Sequence, residues 1–316
     1  MVCMIGDKTV LSDLLGMSQE AHERKRVYLL VVPSGAKAGY ISAIIMRELA
    51  RRGLTTAQFR IVVATSAGFL NAMALCAGQQ ELTPEIYLHL AAKPWLFPAG
   101  FGSRWVTFYD YLTAMLRGEV FADIKLDVNT LMSCPSQKMA AVSDVYGRLA
   151  YHTIHTVEDV FTYMHAASAI MPFSFGQVLG GHYKIDGAYA HAHCQFARQV
   201  RALIREVGKE TDVCVLFIGN RPGVEYQHWT ETYLYGVGIA ASLWWSPRLM
   251  RSALALDRKV EQSERLFHKT RRARSRLLAI LPSPEESIHP VEYRASFMRE
   301  QGEKIVLSLA IAIDAL

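Results

Sequence analysis

A run of apolar, β-branched residues, Phe59-Arg60-Ile61-Val62-Val63, leads straight into Ala64-Thr65-Ser66-Ala67-Gly68-Phe69-Leu70-Asn71-Ala72. No other stretch constrains the fold as much. The run has the pattern of a buried strand. Beyond it, Leu70, Met73 and Ala74 recur at helical spacing, and Gly78 stands where a helix stops. Ser66 therefore falls on a sharp strand-to-helix turn. Such a turn lifts the hydroxyl clear of the sheet and aims a helix N-terminus, with its free N–H groups and partial positive charge, at whatever the serine meets. Strand and helix backbones pass close together at that corner, and Ala64, Ala67 and Gly68 are small enough to allow it. The stretch A-T-S-A-G departs from the G-x-S-x-G form of a nucleophile elbow in its first residue alone. An ordinary turn with Ser66 as a helix N-cap fits the same residues.

The chain just upstream fixes the class. Val27 to Val32 reads as a first buried strand. It runs into the small-residue turn Pro33-Ser34-Gly35-Ala36-Lys37-Ala38-Gly39-Tyr40, then a helix with Ile41, Ile44, Ile45 and Leu49 on one face and Gly53 as its stop. Strand, glycine turn, helix, strand is a right-handed βαβ unit. It predicts an α/β fold in which this turn and Ser66 share the carboxyl edge of adjacent parallel strands. Further strands are expected at Val213–Ile218 and Leu277–Leu281, a strand pair at Met139–Asp144 and Arg148–His152, and a short strand from His182 closing on the turn Asp186-Gly187. Helices are expected over Val157–Ala169, ended by Pro172, and over Phe196–Val207, with Val200, Leu203 and Ile204 inward. Residues 1–25 read as a short helix or an arm, and 83–132 as helical and irregular. That region carries Trp95, Phe97, Phe101, Trp105, Phe108, Tyr109 and Tyr111, which suit a core or a lipid-facing cap. Residues 230–276 read as helical, and a last helix carries Ile305, Leu307, Leu309 and Ile311.

With 51% apolar and 20% charged residues among 316, the chain can bury a large core, and without repeats or a linker it reads as a single domain, 1–316. Five widely spaced cysteines, without a C-x-x-C, suit a reducing compartment. No secretory signal and no apolar run of membrane-spanning length is seen, so a cytoplasmic location is expected, with any membrane contact peripheral. Nine basic residues between Arg251 and Arg276 face three acidic ones, an excess larger than the +5 of the whole chain. That local charge, next to the apolar Tyr233–Met250 with Trp244-Trp245, suits either a solvated helix behind a core or contact with anionic lipid.

Three stretches resemble the patatin-like phospholipases in order and rough spacing: Ser66-Ala67-Gly68-x-Leu70-Asn71-Ala72, Ala167-Ser168-Ala169-Ile170-x-Pro172-x-x-Phe175, and Asp186-Gly187-Ala188. Gly35-Ala36-Lys37 with Tyr40 resembles the end of that family's glycine-rich oxyanion loop. The resemblance covers about residues 27–218, with a helical, basic part at about 230–316. It implies a three-layer patatin-like fold with a mostly parallel central sheet flanked by helices. It also implies a lipid acyl hydrolase with a Ser66–Asp186 dyad, an oxyanion hole from Gly35, Ala36 and Lys37, and Ala64, Ala67 and Gly68 supporting the elbow. Its substrate would be a phospholipid or another acyl-ester lipid.

The loop departs from the family where Pro33, which has no N–H, and Ser34 replace glycines. A catalytically silent scaffold that binds lipid or protein is therefore a second reading. A Ser-His-Asp triad using His152, His155, His165 or His289 is a third. His191-Ala192-His193-Cys194 lacks a partner cluster at zinc spacing, and no phosphate loop or dinucleotide fingerprint occurs. No metal, cofactor or nucleic acid is expected.

Overall fold

The computed structural model describes residues 2–16, 26–33, 35–91, 96–98, 105–120, 124–144, 148–169, 176–187, 203, 207, 212–220, 275–288, 292 and 294–316. The elements begin with β1 (Cys3–Gly6), α1 (Thr9–Leu14), β2 (Arg26–Val32), α2 (Gly39–Arg51), β3 (Phe59–Ala64), α3 (Ala67–Cys76) and α4 (Leu82–Ala91). There follow β4 (Leu96–Pro98), β5 (Trp105–Thr107), α5 (Phe108–Leu116), α6 (Val128–Ser133), β6 (Gln137–Asp144), β7 (Leu149–Thr153) and α7 (Val157–Ala167). The chain closes with β8 (Gln177–Leu179), β9 (His182–Asp186), β10 (Asp212–Ile218), β11 (Arg276–Leu281) and α8 (Ala295–Asp314).

The molecule is α/β, built on a nine-stranded mixed sheet in the order β1-β11-β10-β2-β3-β6-β9-β8, with β7 also on β6. Its centre, β11-β10-β2-β3-β6, is parallel. The continuous apolar runs follow from that position, because a parallel strand inside an α/β sheet is buried on both faces. Alternate residues divide accordingly. Leu30, Val32, Val62, Ala64, Leu216 and Ile218 join a large core with α2, α3, α4, α7 and α8. Leu29, Val31, Ile61, Val63, Val215 and Phe217 form a second core on the opposite face. Leu203 and Val207, helical and one turn apart, pack against that second face.

Strand β6 is the hinge between the two halves of the sheet. One edge pairs antiparallel with β7 over residues 139–143. The other edge serves two strands in succession: β3, parallel, over 137–140, then β9, antiparallel, over 142–144. Thus β3 and β9 run toward each other along one edge of β6 and their ends meet.

Several expectations need correction. Residues 3–6 form a strand, antiparallel to β11, and among the described residues of 1–25 only 9–14 are helical. Among its described residues, the 83–132 region holds three helices and also the antiparallel pair β4–β5. Strand β8 escaped notice; it joins β9 through Gly180-Gly181, whose φ values of 58° and 77° are those of a tight glycine turn. The expected last helix is present as α8, in which Met298, Ile305, Leu309 and Ile313 are buried while Leu307 and Ile311 are exposed. Residues two apart lie about 200° round a helix and cannot share a face. Arg276 opens β11, with its guanidinium on Asp7 (3.7 Å) and Thr9 (3.0 Å), and so does not belong to a basic helix.

Tyr233–Met250, the basic residues from Arg251 to Arg274, His191-Ala192-His193-Cys194, His289, Pro172 and most of 196–207 lie outside the described residues. The side chains of the aromatic segment from Trp95 to Tyr111 also lie outside them. Among the described residues, no helix is long and apolar enough to cross a membrane.

Candidate active site

Ser66 has φ 53° and ψ −132°. Among the described residues it is the one non-glycine residue with positive φ. A side chain in that region carries strain of about 1–3 kcal/mol, which persists only where the surroundings enforce it. Here they do. The Thr65 N–H donates to the Val32 carbonyl (3.2 Å), and the Thr65 hydroxyl donates to the Ala141 carbonyl (2.8 Å). Thr65 is thereby fastened to β2 on one side and β6 on the other, and the helix must start at once. Gly68 lies against the end of β2, where a Cβ would fall 2.4 Å from the Val32 carbonyl oxygen and 2.5 Å from that of Pro33. Ala64 is fully buried. A side chain at position 68 therefore has no room at this corner.

Asp186 ends β9, opposite Val142, while Ala64 ends β3, opposite Ala140. Two residues of β6, about 6–7 Å, separate those register positions. The next residue tightens the approach: a Cβ on Gly187 would stand 2.5 Å from Thr65 Oγ1 and 2.6 Å from the Ala141 carbonyl oxygen. The Asp186 N–H donates to the carbonyl of Ala169 (3.2 Å), just past α7, so the Ala167-Ser168-Ala169 stretch holds the aspartate's backbone. The backbones at Ser66 and Asp186, 120 positions apart in sequence, therefore lie at one corner of the sheet, and both residues are buried, at 2% and 1% exposure.

The loop after β2 passes beside this corner. Residues 36–38 form a single 3-10 turn that leads into α2. The Lys37 side chain reaches α4: its Nζ donates to the Ala91 carbonyl at the end of that helix (2.6 Å), and burial lowers its pKa. Asn71 Nδ2 donates to the Gly39 carbonyl (2.8 Å) and to Ser42 Oγ (2.7 Å). The Tyr87 hydroxyl donates to the Ala67 carbonyl (3.2 Å).

Sequence reasoning missed Asn220. It follows β10, at the same carboxyl edge, and is 2% exposed. Its Nδ2 donates to the Pro33 carbonyl (3.0 Å) and its Oδ1 accepts from the Ser42 N–H (3.2 Å). It thus ties together the two ends of the loop, and its side chain fills the space where a Gly35 Cβ would go. The one available signal was a Gly-Asn pair directly after a buried strand. Asn220→Ala is expected to reduce stability by about 1–3 kcal/mol, since it removes the partner of two buried backbone groups. The shift in urea midpoint measures that loss, and an unchanged midpoint would contradict the clamp.

The candidate histidines among the described residues stand elsewhere. His152 lies on β7, across the far edge of β6 from β3, and stacks on Tyr163 with ring centroids 5.1 Å apart. Burial and the nearby Lys184 lower its pKa. His155 is exposed and its N–H donates to Asp159 at the start of α7. His165 lines a cleft of about 280 Å³ between α5 and α7, which includes neither Ser66 nor Asp186. Among the described residues, no group of three or more His, Cys, Asp or Glu is arranged to hold a metal ion.

No protein-family model matches the chain, and no curated protein matches it. Among solved structures it is similar to VipD from Legionella pneumophila, at 11% sequence identity and a TM-score of 0.33. The match covers 71% of this chain and 58% of VipD. A likeness of that size carries neither fold nor activity from one chain to the other.

Proposed function

We propose that this protein is a serine ester hydrolase, with Ser66 as nucleophile and Asp186 as its base, and that acyl-ester lipids such as phospholipids are its substrates. The conformation of Ser66 carries the reading. A buried serine held at positive φ on a strand-to-helix turn is the arrangement a nucleophile elbow needs.

Asp186 takes the Ser66 proton as the hydroxyl oxygen attacks the ester carbonyl. The tetrahedral oxyanion is held by backbone N–H groups of Gly35, Ala36 and Lys37, aided by the N-terminus of α3. Collapse expels the alcohol, which leaves with the proton from Asp186. A water then gives its proton to Asp186, attacks the acyl-enzyme, and releases the carboxylic acid and free Ser66. The Lys37 side chain serves the loop's fold, through Ala91, and has no part in these steps. The lipid preference rests on the family resemblance of the three motifs. Contact with an anionic membrane falls to Tyr233–Met250 and the basic residues up to Arg274, from a cytoplasmic location.

One observation favours a silent scaffold instead: Pro33 has no N–H to offer, and its carbonyl is engaged by Asn220 beside Gly68. A fluorophosphonate probe separates the two readings. The enzyme reading expects covalent labelling at Ser66, abolished in Ser66→Ala. Intact protein that binds phospholipid vesicles but takes no label at Ser66 would leave the scaffold.

A further inference from the structure

The cleft of about 280 Å³ between α5 and α7 has no part in the proposed hydrolysis. Its walls follow from helical spacing. Thr113 and Arg117 stand four apart at the end of α5, and Glu158, Phe161 and Thr162 fall at i, i+3 and i+4 along α7. Each set shares one face of its helix, and the two faces meet across the cleft. Gln177, which opens β8, lines it as well.

The Arg117 guanidinium lies over the Phe161 ring, with Cζ 4.8 Å from the ring centroid. Its Nη1 is 4.0 Å from Glu119 Oε1, and its Nη2 is 3.6 Å from Glu158 Oε1. Both gaps are too long for hydrogen bonds. Both carboxylates are also more than half exposed, so the two ion pairs hold the guanidinium weakly. Among the described residues, the side chains of Arg117, Thr113, Thr162 and Gln177 neither donate nor accept a hydrogen bond.

We propose that this cleft binds a small zwitterion in which a short chain joins a phosphate ester to an ammonium group, as in phosphoethanolamine. The proposal does not depend on the hydrolase reading.

The donors call for an oxyanion. A guanidinium stacked on a ring by its face keeps its edge N–H groups for two oxygens of one ligand. Two hydroxyls and an amide in the same cleft can serve further oxygens, which a phosphate has and a carboxylate lacks. The charges call for a cation too. Two carboxylates stand against one guanidinium, so a bare anion is opposed. A ligand with an ammonium a few bonds from its phosphate answers both demands: the phosphate meets Arg117 and the ammonium meets Glu119 and Glu158. The volume lies just below the range usual for drug-sized ligands, so the chain between the two ends must be short.

The test is calorimetric titration of the whole chain with O-phosphoethanolamine. Wild-type protein is expected to saturate below about 10 mM. Arg117→Met keeps an unbranched stem over Phe161 and deletes the fork, and should weaken binding about 10–100-fold, the worth of hydrogen bonds to a charged group. Thr162→Val keeps the shape of the wall and should weaken it about 2–10-fold. The double variant Glu119→Gln, Glu158→Gln should weaken phosphoethanolamine and tighten inorganic phosphate, each by about 2–5-fold. Absence of saturable binding to the wild type would overturn the proposal. So would an unchanged affinity in Arg117→Met or, if that variant does not fold, in Thr162→Val. A double variant that tightens both ligands alike would overturn the zwitterion in favour of a plain oxyanion. Vesicles of phosphatidylethanolamine separate the two sources of this headgroup. A free ligand requires that they leave the affinity for phosphoethanolamine unchanged, and competition by them would overturn it in favour of a bilayer.

Discussion

Ser66→Ala is expected to lower ester hydrolysis by about 10⁴-fold or more, since it deletes the atom that attacks. Asp186→Asn is expected to cost about 10²–10⁴-fold, the usual contribution of a positioned base. Both losses should appear in kcat, with KM little changed, because neither group is proposed to bind the substrate's lipid portion. Asparagine keeps the size of aspartate, so the corner formed by Gly187 and Thr65 should survive and the thermal midpoint should move little. Ser66→Gly should behave differently from Ser66→Ala. Glycine adopts positive φ without strain, so it should match alanine's loss of activity yet unfold later. The gain is expected at about 1 kcal/mol, with glycine's larger entropy in the unfolded chain setting the upper limit. Near wild-type turnover in folded Asp186→Asn would remove Asp186 as the base. If the same loss followed His152→Phe, with Asp186→Asn still active, a histidine-based site would replace the dyad.

The parts of the fold legible in sequence were those set by local pattern. Val27–Val32, Phe59–Val63, Val213–Ile218 and Leu277–Leu281 are continuous apolar runs, and each is a strand of the parallel centre. Ser66 on its turn was legible for the same reason, because strand, small residues and helix adjoin in sequence. The parts that stayed hidden depend on pairing over distance. Cys3–Gly6 has no periodicity to mark a strand, and becomes one by docking on β11. The succession of β3 and β9 along one edge of β6, which brings the strand end at Asp186 to the corner that holds Ser66, is a property of register that no local stretch encodes. Motif order hinted at that meeting without explaining it. Asn220 was invisible because its role lies in hydrogen bonds to residues 33 and 42, nearly two hundred positions earlier. The last helix, α8, was legible as a helix, but which of its apolar residues turn inward was not: of the four at every second position it buries Ile305 and Leu309 and exposes Leu307 and Ile311.

Gly68→Ala is expected to be among the most damaging small substitutions in the chain. Intrinsic preference argues the other way, since alanine is favoured over glycine inside a helix by about 1 kcal/mol, and Gly68 lies within α3. Packing decides the sign. The new methyl would meet the carbonyl oxygens of Val32 and Pro33 at 2.4 and 2.5 Å. Both are backbone atoms, and the Pro33 carbonyl is already held by Asn220, so neither can rotate aside as a side chain would. The helix must back away from β2 or the loop must lift. Overpacking of this kind costs about 1–3 kcal/mol, and occasionally more, a sizeable part of the roughly 5–15 kcal/mol that holds a typical domain together. Gly78→Ala makes the control. Its glycine has φ 68° but nothing within 4 Å of a Cβ, so its cost should be the backbone strain alone, about 1 kcal/mol. Urea unfolding of the two variants measures the difference. A Gly68→Ala midpoint at or above wild type would mean that α3 does not lie against the end of β2. In the fraction that still folds, Ser66 should also react more slowly with the fluorophosphonate. The same displacement that relieves the clash carries the loop around Gly35 away from the serine.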